Sequence, residues 1–191
     1  MEQNTSGLSV QESAVQTARQ LRLLYFVRAI FACLWALLLF RVQSLPTVTI
    51  VLLIIYPAFD AVSAAYDGYI HRATHAIMAQ ILNVIISLLA VIAVLIALPM
   101  GVPAILRVFG VWAIITGALE FILALRRWRT HKGQAVLLFG GAVSVLAGTT
   151  FIVLAGQPTF GPGSVAGYAL MGSWQFLFSA IRLGKKQQQA T

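Results

Sequence analysis

Arg28, Asp60 and Glu120 are ionisable residues set inside long apolar runs, and they are where this sequence could do chemistry. An ionised group at bilayer depth costs about 3 kcal/mol or more unless it is paired. Each is therefore either a partner in a structural bond or part of a path for protons, ions or solutes. Arg28 lies about two helical turns into the first apolar run, and Asp60 a similar distance from the end of the second. Adjacent antiparallel helices would hold them at comparable depth, so a buried pair fixing helix register is expected. Glu120 precedes a basic cluster, and a hydrogen bond to Gln175 or Asn83 in a neighbouring helix, or contact with Arg28, is expected for it. Facing a water-filled crevice, it could instead exchange a proton. Arg107 and Arg41 fall close to the opposite face and are expected to snorkel to headgroups; converging, they would attract anions.

Asp67, His71 and His75 recur every four residues, which puts them on one helical face. Two imidazoles and a carboxylate can ligate a transition metal or respond to falling pH. The plainer reading is a solvated polar face, because a further strong ligand is missing, and no cofactor is expected. Cys33 is the single cysteine and lies within an apolar run, which excludes an intramolecular disulfide. The sequence contains no Ser/His/Asp set, phosphate-binding glycine loop or thiol motif, so an enzyme is not expected.

The elements that must position these residues are helices. Hydrophobic residues make up 60% of the chain and charged ones 9%, with a mean hydropathy of +0.89. A soluble domain could not hide that much apolar surface, so the bilayer is the expected solvent. Six runs are long enough to cross it, near 21–40, 48–66, 77–98, 102–125, 136–156 and 164–183. They lack the alternation of a membrane barrel. An all-α integral membrane protein follows, with six transmembrane helices in three tandem hairpins, about 21–72, 77–129 and 134–184. Residues 1–20 read either as a disordered tail or as an amphipathic helix opened by a capping box at Ser9 and Glu12, and 185–191 as a tail. Ahead of the first run the long polar stretch argues against a cleaved signal peptide.

Charge sets the orientation. Arg19, Arg22, Arg72, Arg126, Arg127, Arg129, Lys132, Arg182, Lys185 and Lys186 fall on one side, against Arg41 alone on the other. By the positive-inside rule both termini are cytoplasmic, and the basic loops would contact anionic headgroups. The net charge of +8 thus reflects topology; nucleic-acid binding is not expected.

The hairpins repeat. Gly117 and Gly172 are 55 residues apart (172 − 117 = 55), and Glu120 and Gln175 share that interval. Proline marks the outer turns at Pro46, at Pro99 and Pro103, and at Pro158 and Pro162. Gly140, Ser144 and Gly148 recur every four residues, and Gly163 and Gly167 likewise. Such spacing lets helix backbones approach closely, within the bundle or in a homo-oligomer. Trp35, Trp128 and Tyr69 sit near run ends and suggest interfacial anchors, whereas Trp112 and Trp174 are placed to pack between helices.

The stretch from Trp112 to Glu120 with its Arg126–Arg129 tail, and Gly167 to Gly172 followed by Arg182, resemble the HdeD-like family of bacterial acid-resistance membrane proteins. The likeness covers the last two hairpins well and residues 21 to 72 loosely, and the Trp-Pro-Gly type turn of the family is missing. The resemblance implies six spans, an inner-membrane location and a link to acid or envelope stress, with no catalytic residue. The expected function is accordingly non-enzymatic support of stress tolerance through lipid or protein contacts. The alternative is a small transporter or channel lined by Asp60, Glu120 and Arg28, for which Pro57 would break the second span.

Overall fold

A computed structural model describes the backbone of residues 2–72, 77–129 and 134–188, and the side chains of 15–72, 77–129 and 134–184. The described residues are helical almost throughout: α1 (Glu2–Val42), α2 (Pro46–Ile70), α3 (Ile77–Ala97), α4 (Val102–Arg127), α5 (Ala135–Leu154) and α6 (Pro162–Gln188). Five of them, α1 from Val15 and then α2 to α5, are long and apolar enough to cross a membrane. This fits an all-α, multi-pass membrane protein. α1 starts at Glu2 and runs on without a break, so the N-terminal segment is the beginning of the first long helix rather than a separate element.

Proline opens α2 at Pro46 and α6 at Pro162, where a missing amide leaves no intrahelical bond unmade. Between α3 and α4 the chain makes one 3-10 turn, Leu98–Met100, and reverses at Gly101, whose φ of 83° excludes most side chains. Pro57 does not break α2, which continues through it with the ring buried among its neighbours.

The helices run up and down in sequence order, and α6 returns to lie along α1. Equal lengths, Arg22 to Gln43 and Gly163 to Gly184, run antiparallel for about 30 Å. Ser173 Oγ donates to the Ala29 carbonyl at 2.8 Å midway along. The closest packing falls between the expected hairpins, at α4–α5, α1–α6 and α2–α3; the partners within each hairpin touch less.

The α4–α5 seam shows why. A Cβ on Gly110 would lie 2.6 Å from the Gly148 carbonyl oxygen, and one on Gly117 would lie 2.8 Å from that of Gly141 and 2.5 Å from Ser144 Cβ. Two pairs of glycines thus let the backbones touch, where dispersion and Cα–H···O contacts hold them. Gly117, Ser144 and Gly148 take the packing role expected of them. Gly140 instead receives the Gln175 side chain, Gly163 meets the tip of Gln43, and Gly172 makes only ordinary contact with Tyr56. Gly167 has nothing within 4 Å and is not a packing glycine. Its backbone faces open space because α6 leans on α1 rather than on α5.

The bundle has two unlike halves. Toward the proline turns it is filled by an apolar cluster that includes Leu39, Leu53, Val94, Leu106, Phe109 and Val165. Trp35 belongs to this cluster, 3% exposed, with its indole N–H on the Leu52 carbonyl. It is a core residue rather than an interfacial anchor. Trp174, by contrast, is 69% exposed on the outer surface, while Trp112 packs inside as expected. Large apolar side chains such as Leu88, Ile92 and Ile96 cover the outside, with Ser87, Ala90 and Val94 behind them. That inversion of the soluble pattern needs a bilayer around it.

Candidate functional site

The other half of the bundle, toward both termini and the basic loops, encloses a cavity of about 890 Å³. Its deep end is set by Tyr56, Trp112 and Tyr168, which recur at one equal interval along the chain and occupy α2, α4 and α6. The Tyr56 and Trp112 rings meet edge to face with centroids 5.8 Å apart. Tyr168 donates to Ser144 Oγ at 3.0 Å. Large rings at matching depth on alternate helices close the space above the apolar cluster.

Arg28 and Asp60 form the expected ion pair across α1 and α2, with side chains 9% and 16% exposed. Asp60 Oδ2 also accepts from Asn83 Nδ2 at 3.1 Å and Ser87 Oγ at 2.8 Å, and Trp112 Nε1 donates to Ser87 Oγ at 3.1 Å. The guanidinium lies 4.2 Å from the centroid of the Phe176 ring. A buried charge needs its remaining hydrogen-bonding positions filled, and this network ties α1, α2, α3 and α4 together while filling them.

Glu120 accepts a hydrogen bond from Gln175 Nε2. The two residues 55 positions apart thus meet each other across α4 and α6. Glu120 makes no ion pair among the described residues, so this cavity carboxylate is held by a neutral amide. Asn83 belongs to Asp60 instead. Arg107 is exposed on the outer side of α4 and takes no part in the cavity, because its helix turns Leu106 and Gly110 inward at that level.

At the basic end Asp67 is 2% exposed, not a member of a solvated face. His71 Nδ1 lies 2.7 Å from one of its oxygens, and the Tyr25 hydroxyl 3.5 Å from the other. α1 covers this face of α2, which buries Asp67. The Asp67 hydrogen bond holds the His71 pKa above its ordinary 6.5, against desolvation and the Arg127 charge. His75, the third member of the expected triad, lies outside the described residues. Among those described, no three His, Cys, Asp or Glu side chains come close enough to hold a metal ion.

The rim carries Arg127, Arg182, His71 and Gln134. Sequence reasoning missed Ser87, Tyr168, Phe176 and Gln134. Ser87 carried a usable signal, as it stands one turn from Asn83 in an otherwise apolar run; the aromatic rings did not stand out from packing residues. Comparison with protein-family models, curated proteins and solved structures gives no match to this chain.

Proposed function

We propose that this chain is a six-span protein of the bacterial inner membrane whose central chamber receives a ligand bearing a polar group from the cytoplasmic side, as a small transporter does in one of its access states. The observation that carries the reading is the chamber itself. It joins Asp60 and Glu120 to the basic end, while the apolar cluster seals the opposite half. A sealed scaffold has no use for a space of this size among carboxylates, amides and hydroxyls.

Six spans are supported by α6 matching the membrane-crossing length of α1. Its lower apolarity follows from Tyr168, Ser173, Gln175 and Ser179, which face α1 or the chamber, and from the basic, glutamine-rich stretch 182–188. Cytoplasmic termini are supported by the ten basic residues that the sequence assigns to the side of both termini, against Arg41 alone on the other. Support of envelope or acid-stress tolerance through lipid or protein contacts, as the HdeD-like resemblance implies, is the second reading. It is favoured by the complete pairing of Asp60, which suits a group acting as structural glue.

The test is directional. With Cys33→Ala as background, Thr116→Cys places one thiol on the chamber wall. A membrane-impermeant maleimide should label it in inverted vesicles, whose outer surface is the cytoplasmic face, and not in right-side-out ones. Labelling from neither side would end the chamber reading and leave the stress-support one. In proteoliposomes, proton flux lost in Glu120→Gln but kept in Asp60→Asn would identify the proton as one species moved.

A further inference from the structure

The chamber is not walled equally on all sides. The α5–α6 contact is the weakest between sequence neighbours in the ring, flanked by the two closest, α4–α5 and α1–α6. Both helices contribute to the cavity lining along this gap. Phe139 of α5 is 65% exposed, Trp174 of α6 69% and Phe178 of α6 48%, and each of them also lines the cavity. A residue that faces both the outer surface and the chamber marks a wall with an opening in it. All three lie within about three turns of the basic end, in the leaflet of that side.

The gap is polar inside and apolar outside. Gln175 lies across it, its amide resting on Gly140, where a Cβ would come 2.1 Å from Oε1, and reaching Glu120 beyond. Arg127 and Arg182 stand on the rim, each two turns nearer the basic end than Glu120 and Gln175. The buried Oε1 of Gln134, also at the rim, meets no donor among the described residues.

We infer that the α5–α6 gap is a lateral portal through which the chamber takes a phospholipid from the cytoplasmic leaflet, the phosphate lying at Arg127 and Arg182 and an acyl chain passing out over Phe139, Trp174 and Phe178. This rests on the chamber reading and names its ligand class. Arginine suits the phosphate because its planar fork offers paired donors. A headgroup hydroxyl, such as those of phosphatidylglycerol, can donate to Gln134 Oε1 at the rim. Water-soluble solutes would have no use for an apolar side opening at leaflet depth.

The full-length protein in nanodiscs, supplied with phosphatidylglycerol carrying a diazirine in one acyl chain, tests this by mapping photoadducts. Adducts should concentrate on Phe139, Trp174 and Phe178 over Leu88 and Ile92 of α3, which are exposed to a similar degree. An even spread over both faces overturns the portal, and because this map needs no variant it does not depend on one folding. Arg182→Gln should lower the α5–α6 yield about fivefold, the worth of one arginine beside an anionic headgroup; an unchanged yield overturns the phosphate assignment. Soluble glycerol phosphate should compete poorly. Displacement at equal concentration would make this a soluble-phosphate site and overturn the lipid. If Thr116→Cys labels from the cytoplasmic side while adducts are even, the portal alone is wrong; if Thr116→Cys stays unlabelled and adducts are even, the chamber is wrong too.

Discussion

At the scale of single residues, the Arg28–Asp60 pair and its neighbours set what substitutions do. Asp60→Ala leaves the Arg28 guanidinium, Asn83 and Ser87 without their common acceptor. A loss of about 3–5 kcal/mol is expected in detergent unfolding, because an unpaired charge remains inside. Replacing both Arg28 and Asp60 with leucine should recover most of it; a double variant as unstable as the single would show that the pair is not the source. His71 behaves differently, since the Asp67 hydrogen bond raises its folded pKa above the ordinary 6.5. The stabilisation is thus fully present below pH 6.5 and is lost as pH rises through the raised value. The stability gap between wild type and Asp67→Asn should therefore be widest in acid and narrow toward alkaline pH. A gap that stays flat across that window would count against the link. The Arg28–Asp60 pair was legible from depth alone. The burial of Asp67 was not, because spacing along α2 says nothing about α1 lying over it.

Elements raise a different question, which glycine is structural. Spacing singled out Gly140, Ser144 and Gly148 on one face of α5, and two of these lie in the α4–α5 seam. It missed Gly110 and Gly141, which pair with Gly148 and Gly117. The spacing rule reads one helix at a time, whereas close approach depends on register between two. Gly148→Val should destabilise by about 1–3 kcal/mol or prevent folding, since its Cβ would sit 2.5 Å from the Gly110 carbonyl oxygen. Gly167→Ala, with no atom within 4 Å, should leave the unfolding midpoint unchanged or slightly raised. Comparing the two in one detergent checks the assignment, and equal losses would mean that the seam has no special role. The six helices themselves were legible, because runs of about 20 apolar residues have few other solutions. The proline turns located their ends.

For the whole molecule, the hairpin repeat predicted which segments are alike but not which pack most closely, and so missed the three tight pairs, α1–α6, α2–α3 and α4–α5. Nor did it reveal the chamber, whose walls come from all six helices and depend on their rotations. A motion that opens the chamber must separate helices somewhere, and the looser seams α1–α2, α3–α4 and α5–α6 cost least to part. Cross-linking separates these options. In the Cys33→Ala background, Ala29→Cys with Ser173→Cys bridges the tight α1–α6 pair, where Ser173 already touches the Ala29 carbonyl. Gly140→Cys with Gln175→Cys bridges α5 and α6. Oxidising the first pair should leave lipid photolabelling of α5–α6 within about twofold of its own reduced form, a difference well under 1 kcal/mol. Oxidising the second should abolish the labelling that its reduced form retains. Comparing each protein with itself removes the effect of the substitutions, so equal loss in both would mean that the bundle moves as a whole rather than parting at its looser seams.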